Sequence, residues 1–237
     1  MRILLVEPPF YSFMQYDRWY YPFALAQLAA VAHEAGHEVM VYDGDKYFYK
    51  DIATRERAVF YKRHSLYYEN VDDLDYFIWR HFRETLRNFN PEIVGVSVYT
   101  CKLKAALNTL KIVKKQDSNI KTCVGGAHVT GAPEGFLNNG DVDGVFLGYS
   151  DVTFPQWISA GCPRGKLAGD IEDIDLKKIP HARREALMSP EFYSPRDMGL
   201  ISTSRGCIGY CTFCSGFMCE HKMKFKAGQL VRSELSE

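Results

Sequence analysis

Five short apolar runs, separated by segments of helical periodicity, constrain this chain more than any other feature. "RILLV" (2–6) is continuously apolar, as a strand covered on both faces must be. "HEVMVYD" (37–43), "EIVGVSVYT" (92–100), "IKTCVGG" (120–126) and "VDGVFLG" (142–148) repeat the pattern. Between the first two lies "PFALAQLAAVAHEAG", with proline at the helix start and glycine past its end. Leu103, Leu107, Leu110 and Val113 predict another helix over 103–115, with lysines opposite. Strands separated by helices pair in parallel through right-handed crossovers. The expectation is a doubly wound, parallel, five-stranded α/β sheet over residues 1–160 of the flavodoxin-like type.

One crossover is oversized. Between Asp43 and Pro91, Asp72 or Asp73 can cap a helix whose Leu74, Ile78, Phe82, Leu86 and Phe89 share a face. Before it, residues 45–70 interleave aromatic and basic side chains. Such interleaving suits single-stranded nucleic acid, but a helical insertion packed on a neighbouring domain is the better reading. Lys plus Arg and Asp plus Glu are equal at 29 each, so no wider basic field supports a nucleic-acid partner. With 46 % apolar and 24 % charged residues the composition is that of a globular protein. No apolar run approaches a membrane span and the N-terminus does not read as a secretory signal, so the expected location is cytoplasmic. Prolines and charges over 161–197 predict a surface linker. "MGLISTS" (198–204) predicts a further strand, opening a last segment over 198–237.

That strand leads into "SRGCIGYCTFC", where Cys207, Cys211 and Cys214 stand in C-x3-C-x2-C spacing. There are seven cysteines; an odd, partly scattered set does not look like a disulfide framework. Cys101, Cys123 and Cys162 read as small buried hydrophobes. The clustered three point to metal. Structural zinc wants four protein ligands, and Cys219 or His221 could supply the fourth. The run-together spacing also suits a cubane cluster held through three of its irons, the fourth left open to another ligand.

Strand ends are where parallel sheets bind ligands. Here they carry Pro9 in "EPPF", then Ser97, Tyr99 and Thr100, then Gly125, Gly126, His128 and Thr130 in "GGAHVTG", then Gly148 in "LGYSD". Glycines at such ends let a ligand approach the backbone.

"SRGCIGYCTFC" resembles the cluster loop of the radical S-adenosylmethionine (SAM) enzymes. The resemblance implies a 4Fe-4S cluster on Cys207, Cys211 and Cys214, its open iron chelating S-adenosylmethionine, with Phe213 packing near the adenine. Cys219 has no place in that motif. "VGGAHVT" followed by "VDGVFLGYSD" resembles the cobalamin-binding domain that precedes the barrel in one large subgroup of that family. This implies that Pro9, Ser97, Tyr99, Thr100, Gly125, Gly126, His128, Thr130 and Gly148 line a cobalamin site. Two departures stand out: Tyr149 replaces a common glutamate, and the D-x-H-x-x-G loop that ligates cobalt elsewhere is missing. His128 is therefore expected as a wall residue rather than a cobalt ligand.

The family resemblance further implies an enzyme with a small-molecule or natural-product substrate, an external electron donor, and methyl transfer to carbon, cyclisation or oxidation as its reaction. The 23 residues after Cys214 are too few for a (β/α) barrel. The chain is thus expected to be the front part of the enzyme, inactive by itself, with the remaining barrel in cis or on a partner chain. A non-enzymatic corrinoid-binding module and a zinc-stabilised α/β binding protein are the alternatives.

Overall fold

The computed structural model describes residues 1–46, 54–214 and 222–236. Its centre is a parallel sheet of six strands in the order β2-β1-β3-β4-β5-β6. The strands are β1 (Arg2–Glu7), β2 (Glu38–Asp43), β3 (Ile93–Ser97), β4 (Lys121–Gly125), β5 (Gly144–Gly148) and β6 (Gly165–Gly169). The first five follow the flavodoxin-like order 2-1-3-4-5.

Alternation along the strands sorts the core into two layers. Leu4, Val6, Val94, Val96 and Val124 face one way, against α4 (Phe77–Phe89) and α5 (Leu103–Gln116). Ile3, Leu5, Val41, Ile93, Cys123 and Phe146 face the other, against α1 (Phe23–Glu34) and α8 (Thr153–Ser159). Short helices α6 (Ala127–Gly131) and α7 (Glu134–Leu137) join β4 to β5.

Several expectations need correction. The sheet has six strands rather than five, because "GKLAG", inside the expected linker, pairs with β5 from Gly144↔Gly165 to Gly148↔Gly169. As an edge strand it is largely exposed and so carries no apolar run. β3 stops at Ser97 rather than Thr100, since a 3-10 turn over Thr100–Lys102 starts the crossover. Cys101 lies in that turn and is exposed, not buried. The Asp73 carboxylate accepts from Asp75 N at 3.0 Å, a local turn, and α4 begins only at Phe77. "MGLISTS" is not a strand. A helical turn α9 (Pro195–Met198), closed by a Ser194/Asp197 capping box, precedes it, and β7 is Ser204–Cys207. β7 pairs antiparallel with β8 (Lys222–Phe225), followed by α10 (Gly228–Leu235). No parallel barrel pair involves them among the described residues.

Of the aromatic insertion, residues 47–53 lie outside the described residues. The remainder forms α2 (Arg57–Lys62) and α3 (His64–Asn70). Tyr67 is buried, its ring 4.8 Å from Phe10 and 5.6 Å from Phe13, so α3 packs on the loop after β1. No described helix is long and apolar enough to cross a membrane.

The carboxyl ends of β1 and β2 hold a buried network of charges. Asp43, at the end of β2, pairs with the Arg18 guanidinium and accepts from the Tyr193 hydroxyl at 2.5 Å. Lys102 Nζ binds Glu7 at 2.5 Å, Asp45 at 2.6 Å and the Pro8 carbonyl at 3.1 Å. The other Asp45 oxygen accepts the backbone N–H groups of Phe10 and Ser12, shaping the loop after β1. Lys46 reaches Asp17 and, at 3.4 Å, Asp197. Burial would push the Asp43 carboxyl up, but Arg18, Tyr193 and Lys102 outweigh it and hold it below the ordinary carboxylate range. Burial likewise opposes the charge on Lys102, and Asp45 and Glu7 overcome it.

Removing one member strands its partners in the interior. Asp43→Ala should lower the unfolding free energy by about 3–5 kcal/mol in a denaturant titration at neutral pH. Because the native carboxyl titrates low, its contribution is complete above the unfolded value of about 3.9 and fades as pH falls through the native pKa. The gap between the unaltered chain and the variant should therefore close in acid; a gap that persists there would contradict the assignment.

Candidate corrinoid and thiolate site

The small residues on one face of the strands decide where a ligand can enter. Gly95, Ser97, Gly125 and Gly148 occupy successive positions toward the carboxyl ends of β3, β4 and β5, on the α1 side. Across from them, α1 contributes Phe23, Ala24, Leu25, Gln27 and Leu28. The result is a cavity of about 610 Å³, floored by Leu5, Cys123 and Phe146 and closed at one end by Phe154. Its opposite rim is formed by Ser204–Cys207, the strand that carries the first clustered cysteine.

Backbone geometry holds this rim open. Gly126 sits at φ 105°, ψ 179°, a conformation essentially restricted to glycine, and a Cβ there would stand 3.0 Å from the Val98 carbonyl oxygen. Gly125 is ordinary extended backbone whose Cβ would meet Phe146 at a comfortable 3.5 Å. Gly148, at φ 68°, passes so close to Gly169 O that a side chain has no room.

The expected site residues divide. Ser97, Gly125, Gly126, Gly148 and Cys207 line the cavity. Tyr99 instead borders an adjoining cavity of about 310 Å³, which Ser97 also lines, with Glu7, Arg18, Tyr20 and Lys102. Thr100 and His128 stand apart from both and pair with each other, Oγ1 to Nδ1 at 3.0 Å. Thr130 braces the rim: its hydroxyl donates to Gly126 O at 3.1 Å and accepts from Gly148 N at 3.0 Å. Pro9 is buried against Gly44, away from the cavity. Sequence reading missed Gly95 and the α1 residues. The signal was present in the alternation of "IVGVS", which puts glycine on the face where a strand core normally puts a branched side chain.

Cys207, Cys211 and Cys214 follow the rim on one loop, and none of the three is buried or disulfide-bonded. Gly209 N donates to Cys207 Sγ at 3.3 Å. A Cβ on Gly209 would stand 3.4 Å from Cys207 Sγ and 3.5 Å from Cys211 Sγ, so these two sulfurs flank one space. Cys214 N closes a turn on Cys211 O at 3.0 Å. Among the described residues no three His, Cys, Asp or Glu side chains are gathered tightly enough to hold a metal ion. Phe213 is 91 % exposed, in contact with neither cavity. Cys219 and His221 lie outside the described residues.

The B12-binding domain family matches residues 17–158, more than half of the sequence. The chain belongs to that family. The matched region covers β3, β4 and β5 with Gly95, Gly125, Gly126 and Gly148, but neither β1 nor the Ser204–Cys207 rim. Among curated proteins, it is 24 % identical over 90 % of its length to a cytidylyl-2-hydroxyethylphosphonate methyltransferase of Streptomyces wedmorensis, covering 47 % of that protein. It is 26 % identical over 91 % of its length to an uncharacterised methyltransferase of Pyrococcus horikoshii, covering 45 % of it. A shorter stretch, 47 % of the chain, is 33 % identical to a putative methylthiotransferase of Methanocaldococcus jannaschii, covering 26 % of that protein. The chain spans about half the length, or less, of the curated relatives it matches.

Both groups fit the residues present. The cavity is largely apolar, is glycine-lined at the strand ends, and has an unsatisfied acceptor in its wall. Gln27 is buried and donates through Nε2 to Pro180 O at 2.7 Å, while its Oε1 has no partner among the described residues. A ligand with hydrogen-bond donors suits such a wall. The thiolate loop offers three soft donors, two of them flanking the space left by Gly209, the donor chemistry of an iron–sulfur cluster.

The contrast between neighbouring glycines can be measured. Gly126→Ala should lower stability by about 1–3 kcal/mol, the cost of a side chain in that backbone region, while Gly125→Ala should cost clearly less. Urea titrations of the two variants decide it; equal losses would mean that Gly126 does not hold this conformation in solution.

Proposed function

We propose that this chain is the corrinoid-binding and cluster-bearing portion of a cobalamin-dependent radical SAM methyltransferase. The observation that carries the reading is the shared wall: the strand leading into C-x3-C-x2-C forms the rim of the cavity that the B12-binding fold opens. The names of the two longer-matching relatives support methyl transfer as the reaction class.

Cys207, Cys211 and Cys214 are the proposed ligands of a 4Fe-4S cluster, with one iron left to S-adenosylmethionine. When bound, the cluster supplies the electron that cleaves S-adenosylmethionine, and the corrinoid serves as methyl carrier. The chain's own residues do the positioning. Gly125, Gly126 and Gly148 allow close approach of the corrinoid to the backbone, and Gly95 and Ala24 leave depth for its nucleotide arm. Thr130 keeps the rim in shape. Thr100 and His128, paired to each other outside the cavity lining, take no part in holding the cobalt. Phe213, exposed beside Cys214, is available to an adenine ring. The adjoining tyrosine-lined cavity extends the space over the strand ends, and the rest of the catalytic machinery belongs to a barrel in cis or on a partner.

Reconstitution under anaerobic conditions tests both halves. Iron and sulfide should be incorporated at about four per chain, the stoichiometry of a cubane. Each of Cys207→Ala, Cys211→Ala and Cys214→Ala should strip most of that iron while Cys219→Ala should not. Zinc without sulfide would overturn the cluster assignment. Cobalamin should bind with its benzimidazole off cobalt and without a protein nitrogen in its place. Electron paramagnetic resonance of the cobalt(II) form reads this directly, and nitrogen superhyperfine splitting from an axial histidine would contradict it. Gly125→Val, which fills the cavity mouth without forcing the backbone, should weaken cobalamin binding at least about tenfold, equivalent to roughly 1.4 kcal/mol.

A further inference from the structure

Within the cavity wall, one pair of side chains ties the cysteine loop to the end of β5. Arg205, two residues before Cys207, forms a fork on Asp151, with NH1 to Oδ2 at 3.2 Å and NH2 to Oδ1 at 3.1 Å. Asp151 stands just past the end of β5, three residues after Gly148, and its side chain is only 6 % exposed. The Arg205 guanidinium also lies over the Tyr149 ring, 5.6 Å from its centroid. A buried carboxylate in the turn between β5 and α8, lining the cavity, would be costly without this partner.

The geometry leaves little slack around the pair. Gly206 sits at φ 88°, and any Cβ there would run into the Lys222 carbonyl and Ile171 Cδ1. The strand is therefore pressed between its hairpin partner and the segment after β6, and Arg205 is the side chain that reaches from it to β5. A bidentate guanidinium–carboxylate pair fixes orientation as well as distance, which a single lysine contact does not. Tyr149, standing where a glutamate is common in the resembling sequences, gives the guanidinium a flat surface instead of a second carboxylate.

We propose that Asp151 and Arg205 form a positioning clamp that holds the Cys207 end of the cysteine loop at one fixed place on the corrinoid cavity rim. The clamp thereby sets the separation between the cluster and the corrinoid. This inference rests on the function proposed above for the two sites. Neither residue is catalytic: each acts through the placement of Cys207 and of the rim.

Two measurements on the full chain test it. In the cofactor-free chain, Arg205→Met should speed amide hydrogen exchange of residues 204–207 about tenfold or more, as local opening becomes easier. Asp151→Asn, which keeps the shape and loses the charge, should do the same, and Arg205→Lys should fall between. In the loaded chain, pulsed dipolar electron paramagnetic resonance between the reduced cluster and cobalt(II) should give one narrow distance. In samples matched to the unaltered chain in iron and cobalamin content, Arg205→Met should broaden it, a result that a general loss of stability would not produce. Unchanged exchange in both charge-removing variants, or an unchanged distance distribution in Arg205→Met, would overturn the clamp. If the unaltered chain takes up neither group, the proposed function fails, and the exchange measurement alone then decides whether the tether exists.

Discussion

The rest of this structure depends on the buried charges at the ends of β1 and β2. Charged side chains are almost never fully buried unless paired, and here Glu7, Asp43, Asp45 and Asp197 share the interior with Arg18, Lys46 and Lys102. No member can leave without exposing another, so the loops that supply them are fixed together. The loop after β1 is bound through Arg18 and the N–H groups of Phe10 and Ser12; the crossover after β3 is bound through Lys102. Tyr193 and Asp197 bring in a segment 150 residues further along the chain. A network that fills this end of the sheet also decides where the opening lies, because the strand ends left free are those of β3, β4 and β5.

At that free end the side chains are too small to fill the layer between sheet and helix. A core normally packs as densely as an organic crystal, and unfilled apolar volume costs stability. Gly95, Gly125 and Gly148 give up that packing on the face toward α1, and Phe23, Leu25 and Leu28 of that helix line the opening without filling it. The loss is tolerable because the opposite face of the sheet is filled. Trp79, Phe82 and Leu86 of α4 and Leu110 and Val113 of α5 are all buried there. A ligand that binds only the folded chain returns stability in proportion to the logarithm of its concentration, so an open cavity on one face and a dense core on the other describe a domain built to be completed by its cofactor.

Much of this was legible in the sequence, and the rest was hidden for identifiable reasons. The first five strands and α1, α4 and α5 announce themselves through apolar runs and helical spacing, since each must bury a face. β6 does not, because an edge strand with an exposed outer side needs no apolar pattern. The strand before the cysteines starts six residues later than expected: "MGLIS" is apolar enough to look extended, yet the Ser194 capping box starts a helical turn that runs into Met198. The rim glycines were visible as glycines, but which of them border the cavity depends on register, where Ser97 lies beside Gly125 and Gly95 beside Cys123. His128 and Thr100 looked like ligand-facing residues and instead hydrogen-bond to each other. The charge network was invisible because its members lie far apart in sequence and each looks like an ordinary surface residue.

The cysteine loop poses the sharpest physical demand on the fold. A two-stranded antiparallel ribbon is marginally stable by itself, and β7–β8 is such a ribbon, with most of its outer residues exposed. Its position must come from contacts outside it. Tyr21 donates to the Leu200 carbonyl at 3.0 Å, and Arg184 reaches the carbonyls of Met198 and Leu200, fixing the approach. Lys222 and Lys224 bind Glu172, and Lys224 also caps the Ile174 carbonyl at 3.0 Å, fixing β8 to the turn after β6. Lys226 pairs with Glu234 in the interior, fixing α10 to the ribbon. These contacts bind the ribbon to the segment before α1, to the turn at Arg184 and to the segment after β6, the strand that extends the sheet. A loop of three thiols that would be free to wander on a bare hairpin is thereby made part of the same rigid frame as the strand ends, and chemistry at one can be placed against chemistry at the other without either site being enclosed by its own residues.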